Sequence, residues 1–158
     1  LAGVNLTKAS LYDCTLVECD LSGAQMSEAY LARTRLIDCK LEGTQLVSGF
    51  LRSCKLERCQ CRYLNAGEAK LEGTSLVSCD LQEAFLSDVR LRAHTSLDHC
   101  NLTRADLFRT SLKGIDLSTC TIAGIAVSDT RAELRGLRIS AEQAVDLVGL
   151  LGVKVVEF

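Results

Sequence analysis

Leucine returns every fifth residue along most of the chain. The series runs Leu1, Leu6, Leu11, Leu16, Leu21, then Met26, then Leu31 to Leu56 in steps of five. Cys61 and Ala66 hold the next two places before Leu71, Leu76, Leu81, Leu86 and Leu91 resume. One extra residue within Arg92–Ser96 slips the frame, and Leu97, Leu102, Leu107, Leu112, Leu117, Ile122 and Val127 continue it. The position two before each central residue is small, opening with Ala9, Cys14, Cys19, Ala24, Ala29, Thr34 and Cys39. A period of five fits neither the 3.6 of a helix nor the 2 of a flat strand. It fits a chain that turns a corner every five residues, with two side chains inward and three outward per unit. Four such sides close one square coil, and neighbouring coils pair in parallel ~4.8 Å apart.

The cysteines test that coil independently. Cys19, Cys39, Cys59 and Cys79 are spaced by twenty, and Cys100 and Cys120 continue the column once the slip is counted. Eight of the nine cysteines occupy the small inward position and Cys61 the large one, so they read as buried, reduced packing residues. Zinc sites favour closely spaced pairs, and parallel in-register Cβ vectors suit disulfide geometry poorly. So many free thiols point to a reducing, cytoplasmic setting. The expected fold is all-β, a parallel quadrilateral β-helix of about six coils. Residues 1–129 form the solenoid and 130–158 a C-terminal capping and dimerisation segment.

Asn5-Leu6, Asp20-Leu21, Asp80-Leu81, Asn101-Leu102, Asp106-Leu107 and Asp116-Leu117 match the core of the pentapeptide-repeat consensus: a small residue, Asp or Asn, then Leu. The chain resembles that family from residue 1 to about 129, and the resemblance implies a right-handed coil. It implies little about function.

From Thr130 the beat stops. Ser140 with Gln143 three residues later makes a capping box that opens a helix through about Leu151. Gly152 supplies a stop, and Val153 to Phe158 alternates enough for a short strand. The helix is apolar on more than one face, with Ala141, Ala144, Val148 and Leu151 on one stripe and Leu147 and Leu150 on another. One stripe covers the last coil, whose open edge would otherwise template aggregation. The other predicts a twofold dimer in which Ala144, Leu147, Val148, Leu150 and Leu151 take part.

Ser111 to Ser118, followed by Leu137 to Ala144 and Leu150-Leu151-Gly152, is similar to the ending of the quinolone-resistance pentapeptide-repeat proteins, the Qnr and MfpA type, and most of all to Gram-positive members. The resemblance implies dimerisation through the tail, mimicry of duplex DNA, and binding to type II topoisomerases (DNA gyrase or topoisomerase IV) with protection from fluoroquinolones. Many members of that group carry projecting loops, whereas this chain shows only the one-residue slip.

Charge locates the mimicry. Eighteen basic residues face twenty acidic ones, for a net −2, which argues against the basic surface of most nucleic-acid binders. Side one, the units centred on Leu11 and its equivalents, carries Arg33, Arg52, Lys70, Arg90, Arg92 and Lys113 against Asp13 and Glu72, a net +4. Sides two, three and four come to −2, −1 and −3. A rod of about six coils spans roughly 29 Å, over which duplex DNA carries about 17 charges, so mimicry must be confined to one side. Side four is the candidate: Glu28, Glu68, Asp88 and Asp129 share a column, with Asp106 beside them. Side one offers a rival partner surface in Tyr12, Tyr30, Phe50, Arg52 and Arg90.

No catalytic constellation is present. His94 and His99 flank the slip without a nucleophile at a recognisable spacing, and no Gly-rich phosphate loop opens a helix. A narrow solenoid filled by its own side chains leaves no substrate pocket, so neither enzyme activity nor a cofactor, metal or small-molecule substrate is expected. No apolar run is long enough to span a membrane, and no signal-peptide pattern opens the chain. The leading reading is a DNA-mimicking partner of type II topoisomerase that does not itself bind nucleic acid. The alternatives are a generic protein-interaction scaffold using side one, or an immunity factor against a gyrase-directed toxin.

Overall fold

The computed structural model describes residues 1–157. Side one is a parallel sheet of β1 (Ser10–Tyr12), β3 (Tyr30–Ala32), β5 (Phe50–Arg52), β7 (Lys70–Glu72) and β9 (Arg90–Leu91), in that spatial order. Side two stacks β2 (Thr15–Val17), β4 (Arg35–Ile37), β6 (Lys55–Glu57), β8 (Ser75–Val77) and β10 (Ser96–Asp98) in the same way. Leu11 stands opposite Leu31, Leu31 opposite Leu51 and Leu51 opposite Leu71. A register equal to the coil places each inward leucine on another, and a one-residue slip would turn the column outward.

Sides three and four hold single bridges instead of strands. Asp20, Lys40, Gln60, Asp80, Asn101 and Thr121 form one column, and Asn5, Gln25, Gln45, Asn65, Phe85, Asp106 and Ala126 the other. There the central carbonyl accepts the N–H three residues on, as in Ala24 N to Leu21 O at 2.9 Å, which closes a tight turn. The third residue of that turn has positive φ, 64° at Gly23 and 58° at Glu28. Five strands in each sheet span about four turns, fewer than the six coils expected. Above them the stack continues only as bridges, such as Asn101 to Thr121 and Asp106 to Ala126, although the five-residue beat runs on to Val127. The extra residue is absorbed at a corner without a projecting loop: Ala93 accepts from Gly73 N at 3.0 Å, and Thr95 stays buried.

The second inward position does more than fit. Cys39, Cys59, Cys79 and Cys100 each point Sγ at a leucine carbonyl of the coil below, at 3.4 Å. Thr34 and Thr44 do the same with Oγ1 at 3.3 and 2.8 Å. All nine cysteines are free; Cys14 and Cys19 are half-buried and the rest buried. Burial pushes the Cys39 and Cys54 thiols up in pKa. In the unit where Ala66 replaces the central leucine, Leu64 takes the small place, so the two sizes are exchanged and both residues remain buried. A void of about 60 Å³, lined by Leu46, Ala66, Leu86 and other apolar side chains, remains on the axis.

Past Val127 the chain still stacks on the coil beneath it. Leu112 N donates to Glu133 O at 3.0 Å, Gly114 N to Gly136 O at 2.9 Å and Leu117 N to Arg138 O at 2.9 Å. Leu134, Leu137, Ile139 and Leu147 pack against the end of the core. The capping box forms as expected, with Ser140 N donating to Gln143 Oε1 at 2.8 Å and Gln143 N to Ser140 Oγ at 3.3 Å. The buried Gln143 also donates Nε2 to Leu117 O at 2.7 Å and Cys120 O at 2.6 Å, tying the segment to the last coil. The helix is shorter than expected: α1 covers Ala144–Val148, a 3-10 turn covers Gly149–Leu151, and Gly152 ends it at φ 76°. Residues 153–157 form no strand, since no neighbouring strand of the same chain pairs with them, and Phe158 lies outside the described residues.

Candidate interaction surfaces

The acid or amide that precedes the central residue is engaged locally. Asn5, Asp20, Asn65, Asp80, Asn101, Asp106 and Asp116 each accept the N–H two residues on, at 2.9–3.1 Å. These side chains hold the corner in its turn. One oxygen of Asp106 is therefore committed to Phe108 N at 3.0 Å, and it is a structural residue as well as part of the side-four acidic group.

The corner columns carry a second regularity. Asp13 pairs with Arg33, Asp38 with Arg58, Glu83 with Arg104 and Asp88 with Arg109, at 2.6, 2.8, 2.7 and 2.8 Å. In each pair the arginine stands one coil above the acid, because corner side chains at equivalent places project in parallel. Arg33 beside Asp13 and Arg58 beside Asp38 hold both carboxyls below the usual range.

This pairing divides the side-four column. Glu28 and Glu68 are exposed and have no cation within 4.0 Å among the described residues. Ser48 stands between them and donates Oγ to Glu68 at 3.3 Å. Asp88 is neutralised by Arg109, and Asp129 is exposed at the far end. The acidic residues thus share a line without forming a continuous stripe. Counting charge by side could not reveal this, although an acid followed by arginine one coil later was visible in the register.

Side one separates into two halves. Tyr12 and Tyr30 meet edge to face with ring centroids 5.5 Å apart, and Tyr30 and Phe50 follow at 5.2 Å. Above them in the column of Tyr30 and Phe50 come Lys70 and Arg90. Lys70, Arg90, Arg92 and Lys113 are exposed and, among the described residues, have no carboxylate within 4.0 Å. A groove of about 900 Å³ runs along the corner between sides four and one, with Glu68 and Asp88 on one wall and Lys70, Arg90 and Lys113 on the other.

Sequence reasoning missed Glu133. It is 3% exposed and accepts from Ser128 N at 2.6 Å, Ser128 Oγ at 2.7 Å and Arg109 N at 3.0 Å. Burial works against its charge, but these donors outweigh it and hold the carboxyl below the usual range. No repeat position marks this residue, so nothing in the pattern singled it out. The residues expected at a dimer contact divide: Leu147 packs on the core, Val148 and Leu150 are half-buried, and Ala144 and Leu151 are exposed. Val145, Val153, Val155 and Val156 add apolar surface beside them, each more than half exposed.

His94 and His99 are exposed, and His99 Nδ1 lies 3.0 Å from Asp98 Oδ1. Among the described residues no group of three potential metal ligands converges, and no helix is long and apolar enough to cross a membrane.

A parallel β-solenoid with an apolar axis displays its outward residues at fixed intervals, and that architecture defines the class. The chain belongs to the pentapeptide-repeat family: residues 1–66 match the pentapeptide repeat region, and residues 54–92 and 93–122 match its repeat units. No curated protein sequence matches it. Among solved structures it is similar to a trypsin-treated form of QnrB1, a plasmid-mediated fluoroquinolone resistance protein, with 18% identity and a TM-score of 0.73 over 99% of this chain and 96% of that one. A second trypsin-treated form gives 14% identity and a TM-score of 0.52 over 93% and 100%. HetL, a pentapeptide repeat protein involved in heterocyst differentiation regulation in the cyanobacterium Nostoc, gives 20% identity and 0.46 over 86% and 85%.

Proposed function

We propose that this protein is a binding protein whose partner is a type II topoisomerase, DNA gyrase or topoisomerase IV. It presents side four to the enzyme's DNA-binding surface and so protects it from fluoroquinolones. The observation that carries the reading is the likeness to a fluoroquinolone resistance protein over 99% of this chain, tail included. The sequence resemblance of Ser111 to Ser118 and Leu137 to Ala144 to the quinolone-resistance group supports it. The exposed apolar tail supports a homodimer joined through the C-terminal segment, which would double the length of the rod.

Within side four the free carboxylates Glu28 and Glu68, with Asp129 beyond them, carry the mimicry. Asp88 contributes little while Arg109 holds it. A basic surface built for DNA engages such fixed carboxylates by long-range attraction. The test is titration of the purified protein into a gyrase supercoiling assay with and without ciprofloxacin. Inhibition, or relief of drug-induced cleavage, is expected, and both should be lost in Glu28→Lys/Glu68→Lys. No effect from a folded protein at high concentration rejects the reading. Activity that persists in the double variant rejects side four as the surface.

A further inference from the structure

We infer that the basic half of side one, with its aromatic neighbour, docks an extended acidic polypeptide segment that bears an apolar residue at one end. The cations there are distinguished by clustering on one face without acidic partners. At all four corners of the solenoid an arginine is matched to an acid on the coil below, whereas Lys70, Arg90, Arg92 and Lys113 have no carboxylate within 4.0 Å among the described residues. These four extend along one face from β7 to the coil above β9. Fixed positive charge on a rigid face attracts a negative partner and sets its orientation.

The geometry suits a peptide. Arg90 and Arg92 are two residues apart and flank inward Leu91, as alternate side chains of one extended segment do. Alternate side chains of an extended peptide recur at ~6.6 Å, so its carboxylates meet such a pair in step. In the same column as Lys70 and Arg90, Tyr30 and Phe50 supply a half-buried apolar shelf, with Tyr12 at its end. The shelf disfavours single-stranded nucleic acid. Bases stack on aromatic faces that are free to receive them, and these rings already touch one another at 5.5 and 5.2 Å.

This face adjoins Glu68 and Asp88 across the corner groove, but peptide binding is read with no topoisomerase present, so its test does not depend on the topoisomerase reading. The probes are a fluorescein-labelled octaglutamate peptide, the same peptide with two leucines at one end, and a labelled fifteen-nucleotide oligothymidylate, read by anisotropy at low salt on the full chain. The leucine-bearing peptide should bind most tightly. Lys70→Glu/Arg90→Glu should weaken it about tenfold or more, while Lys8→Glu/Lys40→Glu, which carries the same charge change on other sides, leaves it unchanged. Tyr30→Ser should weaken the leucine-bearing peptide and not the plain one. The inference is overturned if neither peptide binds, if both double variants lose binding equally, or if the oligonucleotide binds as tightly as the peptide. Circular dichroism of each variant separates loss of binding from loss of fold.

Discussion

Arg109 grips Asp88 across one coil step with two hydrogen bonds, Nε to Oδ1 and Nη2 to Oδ2, both 2.8 Å. The fork matches the carboxylate, and the same arginine lies over the Phe108 ring at 4.8 Å. Because Asp88 stands in the acidic column of side four, this one pair sets how much negative charge the column shows to a partner.

Releasing Asp88 should therefore act in the opposite direction to removing Glu68. Arg109→Gln is expected to strengthen any topoisomerase inhibition and Glu68→Lys to weaken it. Both should leave the melting temperature nearly unchanged, since exposed ion pairs add little stability. A supercoiling titration beside a thermal melt checks both, and a shared direction of change would rule out the charge mechanism.

Acid should loosen the C-terminal cap through Glu133. Its folded pKa lies below the unfolded value of about 4.3, so its stabilising contribution is present above that value. The contribution is lost as pH falls through the folded value. Glu133→Gln should cost about 1–3 kcal/mol at pH 7, because an amide nitrogen would face groups that donate. The gap between the two proteins should close below about pH 4. Urea midpoints across pH 2.5–7 measure this, and a gap that stays constant with pH would exclude the linkage.

Gly49 occupies the small inward position with no room to grow. A Cβ there would meet Leu46 Cδ1 at 2.8 Å and Leu46 O at 3.0 Å. Gly49→Ala should destabilise by about 1–3 kcal/mol, the usual cost of overpacking a close-packed interior. Equilibrium unfolding gives the value, and an unchanged midpoint would mean that the coil widens freely at this level.

The thiols should be silent in the native state. Cys14 and Cys19 are half-buried and the other seven buried, so a thiol reagent should label at most those two until denaturant exposes all nine. Rapid labelling of more than two in the folded protein would mean that the coils open readily.

The capping box illustrates how far local pattern reaches. Ser140 and Gln143 were legible as a helix start, and their reciprocal bonds form. The second task of Gln143, donating to Leu117 O and Cys120 O, was not legible. Those carbonyls are more than twenty residues away and come close only when the segment folds over the last coil. The helix is shorter than its apolar pattern predicts: α1 ends at Val148, and from Gly149 the chain continues as a 3-10 turn whose Leu150 carbonyl accepts from Arg131 Nε at 2.8 Å.

By itself the sequence determined the coil and its register. Leucine every fifth residue and the Cys19–Cys39–Cys59–Cys79 spacing leave only one arrangement that buries both inward positions in every unit, and burial dominates the energetics of a solenoid this narrow. The register shows which acids and arginines stack one coil apart, but tertiary structure decided which outward charges are free. The same column that places Glu68 and Asp88 together leaves one open and binds the other to Arg109. Ion pairing depends on side-chain reach within a few ångströms, and a repeat that constrains inward positions sets no such distance outside.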